Sequence, residues 1–97
     1  MTRSNDLDYL FKAILTMKSV DDCYLFFEDI CTIKELQSMA QRMQVAKQLS
    51  DNRNYLQVTE GTGVSSATIS RVNKCLQYGN GGYRMALDRM AGGNKNE

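Results

Sequence analysis

One stretch of 23 residues, from Asn54 to Leu76, constrains the fold of this chain more than any other. Its sequence is NYLQVTEGTGVSSATISRVNKCL, with Gly63 near the middle. Glycine adopts the left-handed backbone conformation of a sharp turn without steric cost. Four apolar residues at helical spacing surround this turn, namely Val58, Val64, Ile69 and Val72. The pattern predicts two short helices that cross at a steep angle and bury these four side chains, as in a helix-turn-helix.

The second helix of this motif is predicted to run from about Ser66 to Leu76. Ser65 is a suitable N-cap, because its hydroxyl accepts a hydrogen bond from a free amide of the first turn. The remaining outward side chains are small, hydroxylic or basic, which allows close approach to base edges and phosphates. The predicted DNA-contacting residues of this segment are Ser65, Ser66, Ala67, Thr68, Ser70, Arg71 and Lys74. Arg71 and Lys74 are assigned to phosphates.

The first helix of the motif is predicted from Tyr55 to about Thr62. Asn54 and Gln57 match a capping pair at its start, and both are also assigned to the DNA-binding set. One alternative stays open at this point, namely a tight helical corner inside an ordinary helix bundle, which shows some of the same features. The joint occurrence of turn, cap and four apolar residues in phase favours DNA binding.

The segment GVSSATISR at positions 63–71, followed by Asn73 and Leu76, resembles the DNA-reading segment of the Trp repressor family. The upstream segment TIKELQSMAQRMQVAKQL, at positions 32–49, strengthens the resemblance, which extends to about Met90. Within the family it is greatest to the YerC/YecD branch. The resemblance implies an all-α fold of about six helices, an intertwined homodimer and a transcriptional regulator, with repression as the expected effect, that binds a pseudo-palindromic DNA operator.

The resemblance also implies an effector pocket beside the second helix of the motif. In the Trp repressor, a threonine, two arginines, a glycine and a serine hold tryptophan. The positions that match them here are Thr32, Arg42, Arg71, Val72 and Cys75. Valine therefore replaces the glycine, and cysteine replaces the serine. A pocket that loses volume and a hydrogen-bonding group is expected to reject tryptophan, so the protein either needs no effector or responds to a smaller amino acid.

Four further helices are predicted outside the motif, at about 6–18, 20–31, 33–49 and from Tyr83 onward. Ser19 is the expected cap of the second, and the T-x-x-E pattern from Thr32 starts the third. The apolar residues of the third helix recur as Ile33, Leu36, Met39, Ala40, Met43, Ala46 and Leu49. The helix predicted at about 20–31 is apolar on more sides than one neighbouring helix could cover. That pattern fits packing against a second chain, and a central helix within one chain would explain it as well.

The length and composition are typical of one small domain. The chain has 97 residues, of which 42% are hydrophobic and 24% charged, so a single domain is predicted at 1–91, followed by a disordered tail at 92–97. Residues 1–35 hold four basic and seven acidic residues, whereas residues 36–97 hold eight and four. Positive charge thus accompanies the DNA-binding half. The sequence lacks a signal peptide and an apolar run that could span a bilayer, so a cytoplasmic protein is expected, without membrane contact.

The residue types argue against an enzyme or a metal site. Histidine is absent, and the serines lie at helix caps rather than beside a base, so no catalytic residues are assigned. Cys23, Cys31 and Cys75 are odd in number and form no CxxC pair, which predicts free, buried thiols, no zinc site and no cofactor. Two alternatives to the regulator stay open: a helical protein-interaction module, and a DNA-binding domain like those of replication initiators.

Overall fold

The computed structural model describes residues 1–92, which form six α-helices and, within that range, no strand. The helices are α1 (Asn5–Ile14), α2 (Val20–Ile30), α3 (Ile33–Ser50), α4 (Tyr55–Thr62), α5 (Ser66–Tyr78) and α6 (Gly82–Gly92). This confirms the predicted all-α class and the number of helices. The predicted disordered tail begins at Gly92, which is the last residue of α6, and otherwise lies outside the described residues.

The helices belong to two compact units, Met1–Leu36 and Gln37–Glu97, with the division inside α3. In the first unit, α1 ends at Ile14, four residues before the predicted Lys18. The chain tightens there into a turn, in which the Thr16 N–H donates to the Ala13 carbonyl at 3.1 Å and the Met17 N–H donates to the Ile14 carbonyl at 3.0 Å. The Thr16 hydroxyl also donates to the Ala13 carbonyl, at 2.6 Å. Lys18 instead takes part in the start of α2, since its N–H donates to Asp22 Oδ2 at 2.9 Å. The predicted first helix was therefore too long.

The α2 helix begins after Ser19, as predicted, and the Ser19 hydroxyl accepts a hydrogen bond from the Asp22 N–H at 3.0 Å. Neither α1 nor α2 contains a buried residue. Six large hydrocarbon side chains of the first unit are exposed, namely Phe11, Leu15, Val20, Leu25, Ile30 and Ile33. This unit therefore offers a large apolar surface for its size.

The predicted capping box at the start of α3 is present. The Glu35 N–H donates to Thr32 Oγ1 at 3.1 Å, and the Thr32 N–H donates to Glu35 Oε1 at 2.8 Å. The hydrogen bond from the Thr32 backbone is the main reason that the pKa of Glu35 lies below its usual value, and the Thr32 side chain adds to the effect. The helix is 18 residues long, the longest of the six, and it includes Ser50, one residue beyond the prediction.

The second unit contains the buried core. All four residues predicted to be buried around the Gly63 turn are in it. The core consists of Val45, Ala46, Val58, Val64, Ile69, Val72 and Leu76, with Leu49, Tyr83 and Leu87 packed against it. Val45 was missed by the predicted apolar stripe of α3, and Met39, which belonged to that stripe, is exposed. The reason is that α3 contributes to this core only near its C-terminal end, from Val45 to Leu49.

The three cysteines are free, as predicted, but none is buried. Cys23 and Cys31 are half-buried, and Cys75 is exposed. The prediction of buried thiols was therefore wrong for all three. Cys75 is exposed because α5 buries the side that carries Ile69, Val72 and Leu76, and Cys75 lies at the edge of that side. Among the helices of residues 1–92, none has the length and apolar character needed to cross a membrane.

Candidate nucleic-acid interface

The turn of the helix-turn-helix depends on Gly63. This residue caps the C-terminus of α4 at φ +71° and ψ 9°, in the left-handed region, and its N–H donates to the Thr59 carbonyl at 2.7 Å. A Cβ at Gly63 would meet nothing within 4 Å, so the requirement for glycine is conformational rather than steric. The Thr62 hydroxyl supports the turn by donating to the Val58 carbonyl at 2.7 Å and by accepting from the Val64 N–H at 3.2 Å.

The α5 helix begins at Ser66, as predicted, with Ser65 as its N-cap. The Ser65 hydroxyl accepts a hydrogen bond from the Thr68 N–H at 3.4 Å and donates to the Thr68 hydroxyl at 3.3 Å. The bond from the Thr68 N–H satisfies one of the free amides at the start of α5. The helix continues to Tyr78, two residues beyond the predicted end at Leu76.

The predicted DNA-contacting residues of α5 and its cap are accessible to different degrees. Ser65, Ser66, Ala67, Arg71 and Lys74 are exposed, whereas Thr68 and Ser70 are half-buried. Buried residues occupy the other side of the helix. Because α5 contains no acidic residue, Arg71 and Lys74 make its exposed side positively charged. This side has basic groups that can bind phosphates, and small and hydroxylic groups that allow close contact with base edges in a groove of duplex DNA.

The N-terminus of α4 carries the other two predicted DNA-binding residues. Asn54 and Gln57 form the predicted reciprocal capping box: the Gln57 N–H donates to Asn54 Oδ1, and the Asn54 N–H donates to Gln57 Oε1, both at 2.9 Å. Both side chains are exposed and both oxygens are used in the cap. Their NH₂ groups are donors of the kind that phosphate oxygens accept.

The five predicted effector positions are distributed over both units. Thr32 lies in the first unit, and its hydroxyl accepts the Glu35 N–H in the α3 capping box. In the second unit, Arg42 is half-buried on α3, and Arg71 and Cys75 are exposed on α5. Val72 is 1% exposed and belongs to the core. The structure thus brings Arg71, Val72 and Cys75 together on one helix, with the Val72 side chain turned inward.

A cavity of about 430 Å³ lies elsewhere in the second unit, between the end of α3 and α6. Its lining contains both signs of charge and none of the predicted effector residues: Lys47, Ser50, Asp51, Arg84, Leu87, Asp88, Met90 and Ala91. Lys47 and Asp51 form an exposed ion pair at 2.8 Å. Within residues 1–92, no three histidine, cysteine, aspartate or glutamate side chains come together as metal ligands would.

Two contacts that support the helix-turn-helix were not predicted. Arg84 Nε, in α6, donates to the Leu76 carbonyl near the end of α5 at 3.1 Å. The Gln48 side chain of α3 lies over Gly61 of α4 so closely that a Cβ on Gly61 would come within 2.8 Å of Gln48 Oε1. That oxygen is buried and has no hydrogen-bond partner among the described residues. A glycine inside a short helix was the one sequence signal for such a close approach.

The similarity to known proteins extends over nearly the whole chain. The family described as Trp repressor protein matches residues 5–91. The chain belongs to this family. It is 52% identical over 88 residues to the uncharacterized protein YerC of Bacillus subtilis (strain 168), covering 91% of this chain and 85% of YerC. The resemblance to the Trp repressor family that the sequence indicated, and to its YerC branch, is confirmed.

Solved structures show the same relationship. A TrpR-like protein from Eubacterium eligens ATCC 27750 is 49% identical, with a TM-score of 0.88 and coverage of 92% of each chain. A candidate Trp repressor from Staphylococcus aureus has the same identity and TM-score, and the match covers 92% of this chain and 89% of that protein's chain. The family consists of transcription regulators rather than enzymes, so the chain is in general terms a DNA-binding regulator and not an enzyme.

Proposed function

We propose that the chain is a sequence-specific transcriptional repressor that reads the major groove of its operator with α5. One observation carries the proposal: α5 buries Ile69, Val72 and Leu76 on one side and exposes a basic side free of carboxylates on the other. A helix held in this way by a helix-turn-helix enters the major groove with its N-terminal residues at the base edges.

The exposed residues of α5 divide into two roles. Ala67 lies in the first turn, where its methyl group suits contact with a thymine methyl, and the neighbouring Thr68 has a methyl and a hydroxyl for a base edge. Arg71 and Lys74, further along, neutralise phosphates. At the other end of the motif, the NH₂ groups of Asn54 and Gln57 bind the DNA backbone and orient α4 across it.

The expected result of mutagenesis follows from this division. Replacing Ala67 or Thr68 should alter base preference and cost roughly 1–3 kcal/mol at the matching base pair only. Lys74→Ala should weaken binding to all sequences about equally, because phosphates carry no sequence information. Selection of bound sequences from a random library, followed by affinity measurements on matched and mutated duplexes, separates the two roles. The same uniform loss in all variants would refute the division.

The proposal includes a homodimer. Proteins of this family bind DNA as dimers. The exposed hydrocarbon side chains of α1 and α2 support the same arrangement here, because they are unburied within one chain and a second copy would cover them. The acidic character of residues 1–35 suits a location away from phosphates.

A dimer of this kind should bind a pseudo-palindromic operator with two half-sites about 34–36 Å apart, one turn of DNA. Footprinting is expected to show two protected regions of inverted sequence, and sedimentation should show a dimer at micromolar concentration. A monomer under those conditions, or a single protected half-site without symmetry, would contradict the dimer.

Salt dependence separates DNA binding from the first of the two remaining alternatives. A helical protein-interaction module that uses α5 against another protein would bind mainly through apolar contact, whereas neutralised phosphates make DNA affinity fall steeply as salt rises. The DNA affinity of a replication-initiator-like domain would also fall steeply as salt rises. Its binding site, however, would be found at an origin of replication rather than in promoters. Mapping bound sites across a genome separates this alternative from a repressor.

We also propose that free tryptophan is not the effector. In the family, tryptophan occupies a pocket whose glycine corresponds to Val72, and here that side chain is part of the core. Arg42, Arg71 and Thr32 keep polar groups that suit an amino acid, so the protein either binds DNA without a ligand or responds to a smaller amino acid.

A further inference from the structure

Tyr78 is an exposed aromatic side chain at the C-terminal end of α5. It is the last residue of that helix and is 83% exposed. A tyrosine that contributes so little to the core has both its ring and its hydroxyl available for a partner. The predicted DNA-binding set ended at Lys74 and did not include it.

Tyr78 continues the exposed side of α5 that begins at Ala67. Ala67, Arg71, Lys74 and Tyr78 are separated by four, three and four residues, and this spacing places side chains in line on one side of an α-helix. All four are exposed, and the buried Ile69, Val72 and Leu76 occupy the other side. Tyr78 therefore lies one turn beyond Lys74 on the same side.

The backbone at Tyr78 is held by the residues around it. The Gly79 N–H donates to the Cys75 carbonyl at 3.0 Å, and a Cβ at Gly79 would lie 2.5 Å from that carbonyl oxygen, so only glycine allows this approach. Two residues before Tyr78, the Leu76 carbonyl accepts a hydrogen bond from Arg84 Nε of α6. A tyrosine has few rotatable bonds, so little conformational freedom is lost when a fixed backbone presents it to a partner.

We propose that the Tyr78 hydroxyl donates a hydrogen bond to a phosphate oxygen of the operator, at the edge of the groove that α5 enters. The proposal rests on the proposed function of α5. Eleven residues separate Ala67 from Tyr78, about 16 Å along a helix, whereas the major groove is about 12 Å wide. When Ala67 is at the base edges, Tyr78 is therefore beyond them, where the sugar-phosphate backbone lies. Tyr78 is a positioning contact that strengthens binding to every sequence.

A neutral donor and a cation differ in their response to salt. Lys74 displaces a counterion from DNA, so its removal should reduce the slope of log affinity against log salt by about 0.9. A tyrosine hydroxyl displaces none. Tyr78→Phe should therefore weaken binding about five- to tenfold at every salt concentration, with an unchanged slope.

The test compares Tyr78→Phe with Lys74→Ala, and with Tyr9→Phe as a matched control that removes a hydroxyl from another highly exposed tyrosine. Each full-length protein is titrated with a duplex selected by the unmodified protein from a random library and with an unrelated duplex, at several salt concentrations. The expected result is an equal loss on both duplexes for Tyr78→Phe, an unchanged slope, and no change for Tyr9→Phe. Thermal unfolding of Tyr78→Phe should match that of the unmodified protein.

Two results would overturn the proposal. One is affinity of Tyr78→Phe equal to that of the unmodified protein, measured where Lys74→Ala is weakened. The other is a change of the Tyr78→Ala variant from dimer to monomer in sedimentation, which would assign the side chain to contact between two copies. If the unmodified protein enriches no duplex from the random library, the proposed function of α5 fails instead, so the two failures are distinct.

Discussion

Replacing Ile69 with alanine is expected to lower the free energy of unfolding by roughly 2–5 kcal/mol. Ile69 is 0% exposed and is one of the four largest fully buried side chains, with Val45, Val58 and Val72. These four come from α3, α4 and α5, so the truncated side chain would leave a cavity at the point where three helices meet. A small core has little capacity to collapse around such a cavity, which raises the cost.

Leu56→Ala is the matched control, because the same kind of truncation is made at a residue of α4 that is 67% exposed. Its expected cost is below about 1 kcal/mol, since little buried area is lost. Urea unfolding of both variants is followed by circular dichroism at one fixed protein concentration, because the stability of a dimer depends on concentration. Equal losses for the two variants would show that Ile69 does not have the core role assigned to it.

The second large effect concerns Val72 and tryptophan. Calorimetric titration of the unmodified protein with tryptophan is expected to show no binding at micromolar concentration, and operator affinity should be the same with and without the amino acid. The reason is steric and polar together: Val72 fills space that glycine would leave open, and Cys75 replaces a hydroxyl with a weaker hydrogen-bonding thiol. Micromolar binding of tryptophan by the unmodified protein would show that this reasoning is wrong.

Two variants separate the steric cause from the polar one. Val72→Gly opens the space but removes a side chain that is 1% exposed, so it should also destabilise the protein by roughly 2–4 kcal/mol, from lost burial and the low helix propensity of glycine. Cys75→Ser restores the hydroxyl at an exposed position, with little effect on stability. If space is the obstacle, tryptophan binding should increase in Val72→Gly and not in Cys75→Ser.

The starts of four helices were readable from the sequence because the groups that cap them are local. Ser19, Thr32, Asn54 and Ser65 each accept a hydrogen bond from a residue three positions later. Such contacts depend on residue type and spacing alone. Gly63 was equally readable, since the left-handed turn favours glycine whatever surrounds it. The helix-turn-helix and its four buried residues followed from the same local pattern.

The end of α1 shows where local reasoning was insufficient. The apolar repeat continues through Leu15, so the pattern predicted helix to Lys18. The backbone bonds change earlier, because the Thr16 N–H donates to the Ala13 carbonyl three residues back, and the Lys18 N–H donates to the Asp22 carboxylate at the start of α2. Periodicity indicates which side of a helix is apolar, but it does not decide which of two competing hydrogen bonds forms.

By itself the sequence determined the helical class, the caps, the turn and the side of α5 that faces outward, because each depends on residues within about one helical turn of one another. Only the tertiary structure decided that Val45 joins the core, that Cys75 is exposed, that Gln48 covers Gly61 and that Arg84 bonds to the Leu76 carbonyl. These features join α3 to α4 and α5 to α6, or depend on how the helices cross. Contacts between residues distant in sequence are set by packing of whole helices, which no local spacing encodes.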